Sequence, residues 1–526
     1  MTTATKSGNP VERIKDEKPG LDIFDEIHEL AAQHGGWETI EPGDRERLKW
    51  IGTFFRKPTP GCFMMRLRIT NGRLTAAQLA ALAELSRRLG SGVMDLTTRQ
   101  QIELRDIQIR DVPEILDALR DIDLTSLQTG MDNIRGANTC ALSGLTPNEL
   151  FDAAPAGEEF TRMFLGNREY TNLPRKLNVA FTGCLENCIH AETQDIAMTP
   201  ATGPGGVPAL SLSRGFNVAV GGKMGSGGMT VAQPLDVFVE PEDAARLAST
   251  ITLLFRDEGS REKRTRARLA FLLDEWGIEE FRGRLEERWG AALLPAGRDA
   301  RRDNHADHLG VNPQRQEGLY SVGLCVLTGR TCAEDMTELA RLASTYGSGA
   351  IRLTVGQNAI IADVPEANLP ALLAEPLLSR LSPDARPFTR GLVSCTGNDY
   401  CNLALIETKS ASQRVAQALD TCYPDAAPLR MYWSGCPAGC GNHHAADIGF
   451  QGGKTRFEGE VVDAVTIFAG GSTGPNARPA RKLAEQVPVS ALGAVLPGLI
   501  GKFRANGLEA NEDLIDPGIP GIDFEA

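Results

Sequence analysis

From Gly61 onward the chain settles into a repeating pattern of apolar and polar positions. Phe63, Met65, Leu67 and Ile69 alternate with Met64, Arg66 and Arg68, the two-residue period of a strand with one face on a core. The period then lengthens. Leu79, Leu82, Leu85 and Leu89 make the stripe of an amphipathic helix that Thr75 caps and Gly90 ends. A second strand is expected next, with Asp95, Thr97, Arg99, Gln101, Glu103 and Arg105 sharing one face. The same strand–helix–strand order returns later with Met336, Leu339, Leu342 and Tyr346 as the helical stripe.

The two stretches are copies. Residues 61–100 align with 318–357 at a constant offset of 257 over 40 positions, and 14 are identical, including Gly72/Gly329 and Leu96-Thr97/Leu353-Thr354. Farther on, TGCLENCIHAETQDIA (182–197) matches SGCPAGCGNHHAADIG (434–449) at an offset of 252. A period this long means duplicated domains rather than a solenoid. Helices laid on mixed sheets make the expected class α+β. Residues 1–50 are polar around one amphipathic patch (21–32) and read as an N-terminal extension on the surface. Residues 300–317 read as a polar connector between halves.

Composition narrows the field without deciding it. The 526 residues, 42% hydrophobic and 23% charged, suit a soluble chain with several cores. A net charge of -13 speaks against generic nucleic-acid binding. Eleven cysteines, an odd number and several in apolar runs (Cys325, Cys422), suit a reducing compartment. The N-terminal residues show no secretory pattern, and no apolar run has membrane-spanning length, so a cytoplasmic protein is expected.

The chemistry concentrates in two places. Cys395 and Cys401 form a C-x5-C pair in SCTGNDYC, and Cys436 and Cys440 a C-x3-C pair in GCPAGC. Two thiolate pairs in glycine-rich loops suit an iron–sulfur cluster; zinc, and cysteines holding no metal, stay open. Gly397, Gly435, Gly439 and Gly441 would let backbone approach such a centre. In the first half, Cys184 and Cys188 echo Cys436 and Cys440 without a matching C-x5-C. A vestige or packing role is expected there, because two thiolates rarely hold a cluster alone. That half carries cations in strand positions instead: Arg66, Arg68, Arg99, Arg105, Arg135 and Lys176, with Asn178 on the face of Lys176. Arg66 and Arg99 become Gly323 and Gly356 in the second copy. Cations that differ systematically between copies point to an anion-binding cavity.

With these residues in view, the chain resembles the sirohaem-dependent nitrite and sulfite reductases, most closely the ferredoxin-dependent assimilatory nitrite reductases. The resemblance runs from about residue 45 to about 515. It rests on RLKWIGTFFR, FMMRLRITNG, DLTTRQQIELR, SLQTGMDNIR, LPRKLNV, the repeat and both cysteine pairs. It implies pseudo-two-fold halves: an extension (1–50), ferredoxin-like half-domains (51–125 and 301–385), and sirohaem/substrate-binding (126–300) and [4Fe–4S]/sirohaem-binding (386–526) domains. By resemblance, Cys395, Cys401, Cys436 and Cys440 ligate a [4Fe–4S] cluster, and Cys440 also binds the sirohaem iron. Arg99 and Arg105 would hold the macrocycle, while Arg66, Arg135 and Lys176 would face nitrite. Relatives that reduce sulfite carry a lysine where Asn178 stands, so nitrite is expected and sulfite is the alternative. RGANTCALSG, with Cys140, departs from the plant members. The donor would be reduced ferredoxin, acting on a monomer with no nucleic-acid or membrane partner. REKRTRARL (261–269) is a docking candidate against the plainer reading of a solvated helix face, and His443 and His444 are expected to pack beside the cluster.

Overall fold

The computed structural model describes residues 9–204, 213–225 and 228–505. Two five-stranded sheets carry the repeat, and each contains a strand of the other copy. The first runs Thr53–Phe55, Phe63–Leu67, Ile102–Ile107, Val93–Leu96 and then Arg330–Cys332. The second runs Gly310–Pro313, Leu319–Leu324, Ala359–Pro365, Ala350–Leu353 and then Arg73–Thr75. The exchange fuses the copies into one core. The helices Ala76–Leu89 and Ala333–Tyr346 lie across it with Leu79, Leu82, Met336, Leu339 and Leu342 fully buried. Burying a side chain of this size is worth roughly 1.5–3 kcal/mol. Thr75 caps its helix as the sequence indicated: its hydroxyl accepts from the Gln78 backbone while the Gln78 side chain accepts from the Thr75 N–H.

The strand expected over Asp95–Arg105 is a hairpin. Val93–Leu96 turns back at Thr97–Gln101 into Ile102–Ile107, so Asp95 and Glu103 face each other across the ladder. The Thr97 hydroxyl accepts from the backbone N–H groups of Arg99 and Gln101, and Gln100 adopts a left-handed φ of 58°. Such local side-chain bonds favour turns over extended chain. Arg99 therefore sits at a hairpin tip.

Two further sheets share one topology. In the first, Ile134–Asn138, Leu177–Phe181 and Ile196–Pro204 run parallel, followed by Arg214–Val220 and Gln233–Val239 antiparallel. In the second, Leu392–Ser394, Met431–Ser434 and Ile448–Phe457 run parallel, followed by Glu460–Ala469 and Arg481–Pro488. The N-terminal segment is more than a surface extension. Ile23, Ile27, Leu30 and Ala31 of the helix Ile23–Gln33 join the core of the fused sheets. Arg68 does not follow Arg66: it is buried, donates to the carbonyls of Leu127 and Ile134, and packs on the Phe164 ring. Among the described residues, no helix is long and apolar enough to cross a membrane.

Candidate functional site

The loops that follow parallel strands of the second duplicated sheet converge on the first hairpin. Cys395 follows Leu392–Ser394, and Cys436 and Cys440 follow the adjacent Met431–Ser434, so both cysteine loops leave the same sheet edge. All four expected thiols line one cavity of about 300 Å³ together with Arg56, Arg66, Arg99, Arg105, Arg135, Arg175 and Lys176. The Cys395 sulfur accepts from the Gly435 N–H at 3.1 Å, and the Cys401 sulfur from the Leu403 N–H at 3.4 Å. Backbone donors stabilise thiolates in this way. The loop glycines also admit close backbone contacts within the protein. A Cβ at Gly441 would lie 2.0 Å from the Trp433 carbonyl oxygen, and Gly439 holds φ 69° where its loop meets Gly225 of the first half. His443 packs as expected: its Nδ1 bonds to the Ser434 hydroxyl at 2.8 Å, and burial with neighbouring His444 lowers its pKa to about 3.

The cations divide by how they are partnered. Arg66 donates twice to Glu103, at 2.6 and 2.9 Å, and lies over the Phe54 ring. Arg105 is fully buried and ion-paired to Asp95 and Glu103. Most of its guanidinium is thus committed to the frame, and among the described residues only Nη1 finds no partner. Arg99 Nε, Arg56 Nε and Arg175 Nε are likewise buried without partners among the described residues. Burial first, then neighbouring arginines, lowers the pKa of each of these three to about 10, with Glu103 opposing the shift at Arg56. Arg135 spends two donors on the carbonyls of Met131 and Thr129. Burial, then Arg66 and Arg99, pushes its guanidinium well below its usual range. Lys176 is pushed well below the ordinary 10.5 by burial and then by Arg268.

Buried donors that repel one another and lack partners call for a polyanion. Eight carboxylates on a macrocycle, with thiolates on the adjoining wall, would satisfy this donor set. Arg56 and Arg175 were not expected here, although FFR and LPRK in the sequence carry them. Lys409 was missed entirely. It is buried against Asp95, which Lys409, Arg105 and Arg330 hold well below the usual carboxylate range despite its burial.

Asn178 stands apart from the other expected substrate residues. It lines a small adjoining pocket shared with Lys176, Arg99, Arg268 and Cys440. Its backbone and side-chain N–H groups both donate to Asp195, which also takes a two-pronged ion pair from Arg268 at 2.7 Å. The docking candidate at 261–269 is turned largely inward: Arg261 pairs with Glu12, Arg264 with Asp132 and Arg268 with Asp195. Lys263 and Arg266 stay exposed beside these pairs, so the segment is part ion-pair network and part basic surface.

A larger cavity, about 600 Å³, occupies the place related by the internal symmetry. Thr354, Val355 and Gly356 stand there where Thr97, Thr98 and Arg99 stand in the first copy. Its arginines are already neutralised, Arg390 by Asp307 and Arg430 by Asp447. Charge thus separates the two cavities. Beside the larger one, Cys184 and Cys188 meet Cys140 and His308 in a buried group.

Comparison with known proteins agrees with this arrangement. The family model described as "Nitrite and sulphite reductase 4Fe-4S domain" matches residues 130–293 and 386–513. The "Nitrite/Sulfite reductase ferredoxin-like half domain" model matches residues 55–122 and 312–378. A ferredoxin–nitrite reductase of Synechococcus elongatus is 46% identical over 506 residues, covering 95% of this chain and 97% of that protein. An assimilatory ferredoxin-dependent nitrite reductase of Haloferax mediterranei is 37% identical, covering 94% and 89%. The solved structure of the Mycobacterium tuberculosis NirA protein superimposes with a TM-score of 0.88 at 28% identity, covering 97% of each chain.

Proposed function

The chain belongs to the nitrite and sulfite reductase family, and on that premise we propose how its residues share the work of reducing nitrite to ammonium. It is an oxidoreductase with the duplicated α+β fold of that family, taking electrons from reduced ferredoxin. Its cofactors are sirohaem and a [4Fe–4S] cluster. The observation carrying the residue assignment is the convergence of four thiols and eight cationic side chains, Lys409 included, on one cavity between the halves.

Cys395, Cys401, Cys436 and Cys440 would hold the cluster, with Cys440 also reaching the sirohaem iron. The unpartnered nitrogens of Arg56, Arg99, Arg105 and Arg175 would bind sirohaem carboxylates. When bound, the coupled cofactors supply electrons one at a time. Arg66, Arg135 and Lys176 would attract and orient the anion, whose charge offsets their mutual repulsion. Lys176 would also deliver protons at its Nζ, since burial and Arg268 make its ammonium a better acid than an exposed lysine. Asn178, tied to Asp195, adds a dipole rather than a second ammonium, which suits a monoanion better than the sulfite dianion.

We further propose a monomer working in the cytoplasm, with an N-terminal segment (1–50) and four domains bounded near residues 125, 300 and 385. The assay is reduced viologen, then reduced ferredoxin, with nitrite and sulfite offered separately. One ammonium per six electrons, formed much faster than sulfide, is expected. Faster sulfide formation would refute the assignment of Asn178.

A further inference from the structure

Strand register extends the internal repeat beyond what the sequence alignment reaches. Met431 aligns with Val179 at the offset of 252. Met431 pairs with Leu392 in one sheet, and Val179 pairs with Ala137 in the other. Leu392 therefore corresponds to Ala137, and three residues later Cys395 corresponds to Cys140. Cys184 and Cys188 already correspond to Cys436 and Cys440. Three of the four proposed cluster-ligand positions thus have cysteine counterparts in the first half. The Cys401 position has none, and a residue from elsewhere comes in.

That residue is His308, from the connector between halves. Its Nε2 lies 3.3 Å from the Cys140 sulfur. The four ligand atoms of Cys140, Cys184, Cys188 and His308 all fall within 4.8 Å of one another, every residue is buried, and the thiols are unbridged. The connector is built to reach this point. A Cβ at Gly323 would lie 2.0 Å from the His308 carbonyl oxygen, so the glycine replacing Arg66 makes room for the connector. Asp307 is fixed by Arg390, and His305 stacks on His190.

We propose that Cys140, Cys184, Cys188 and His308 bind a structural zinc ion that fastens the connector to the first half. Three thiolates and one imidazole are a common structural zinc set. The spacing favours one ion over a cubane. A tetrahedron with Zn–S of about 2.3 Å puts sulfurs about 3.8 Å apart, whereas four irons at the corners of a cube hold their ligands farther apart. A packing role for three thiols would not require an imidazole from a third segment. Cys188 and His308 line the 600 Å³ cavity, which gives the ion a route in. The symmetry-related cluster site would thus have been converted from an electron carrier into a staple.

The test is elemental analysis of the holoenzyme made in zinc-supplemented medium and purified without chelator, with X-ray absorption at the zinc edge. One zinc per chain is expected beside the iron, in a shell of three sulfurs at about 2.3 Å and one nitrogen at about 2.0 Å. Cys184→Ser should lower zinc at least tenfold with iron unchanged, and His308→Cys should keep it. Should Cys184→Ser fail to fold, the wild-type absorption spectrum decides alone. Less than a tenth of a zinc per chain, a zinc shell without sulfur, or iron lost with Cys184→Ser would each overturn the proposal. Because zinc and iron are counted separately, failure here is distinguishable from failure of the nitrite reductase assignment.

Discussion

Replacing Glu103 with glutamine removes the carboxylate that holds Arg66 and Arg105 together in the wall of the cationic cavity. Burial alone would raise the pKa of Glu103, but Arg66, Arg105 and Arg56 outweigh it and lower the pKa from 4.5 to about 2. That gap is worth about 3 kcal/mol at about 1.4 kcal/mol per tenfold change in proton affinity. Breaking one partner out of a buried ion pair costs about 3–5 kcal/mol on other grounds, so the two routes agree. The sign follows from the depressed value: the stabilisation is complete above pH 4.5 and is lost as pH falls toward about 2. Glu103→Gln lacks it at every pH. Urea unfolding followed by tryptophan fluorescence should show the variant about 3 kcal/mol less stable at pH 7, and the difference should shrink to about 2 kcal/mol at pH 3.5. A loss under about 1 kcal/mol at pH 7, or a difference constant with pH, would refute the claim that this carboxylate is a charged keystone.

Other substitutions probe the cavity and the connector. Lys176→Met should lower ammonium formation about 10²-fold and abolish an alkaline limb of the kcat profile, which in wild type falls below pH 10.5 because the ammonium pKa is lowered; a retained limb assigns the proton to another group. Asn178→Lys should raise the ratio of sulfite to nitrite kcat/KM roughly tenfold by adding a cation beside Lys176, and an unchanged ratio would mean Asp195 neutralises the new charge. Gly323→Ala should destabilise the protein by about 1–3 kcal/mol, measured by thermal unfolding, since its methyl would strike the His308 carbonyl; no change would mean the connector shifts freely.

Much of this architecture was written in local periodicity. The helical stripes from Leu79 and Met336, the Thr75 cap and the repeat were legible because each depends on neighbours in sequence. The paired cysteines were legible for the same reason. The turn at Thr97–Gln101 was not, because two-residue alternation continues through a tight hairpin and mimics one long strand. The exchange of Arg73–Thr75 and Arg330–Cys332 between sheets was hidden, since three-residue strands carry too little pattern. Cys140 and His308 could not be joined to Cys184 and Cys188 from spacing alone: 168 residues separate Cys140 from His308, and the path of the connector brings them together. In the basic run at 261–269, composition records charge but not the buried carboxylates of Glu12, Asp132 and Asp195 that pair Arg261, Arg264 and Arg268.

The central claim is that the cavity lined by Cys440, Lys176 and the unpartnered arginines holds sirohaem and admits nitrite. A visible spectrum of the purified protein, recorded before and during a nitrite titration, tests it most directly. Sirohaem bands that shift as nitrite is added, and that are lost or altered in Cys440→Ser, are the predicted result. A fully iron-loaded protein without sirohaem bands, or with bands indifferent to both nitrite and Cys440→Ser, would contradict it.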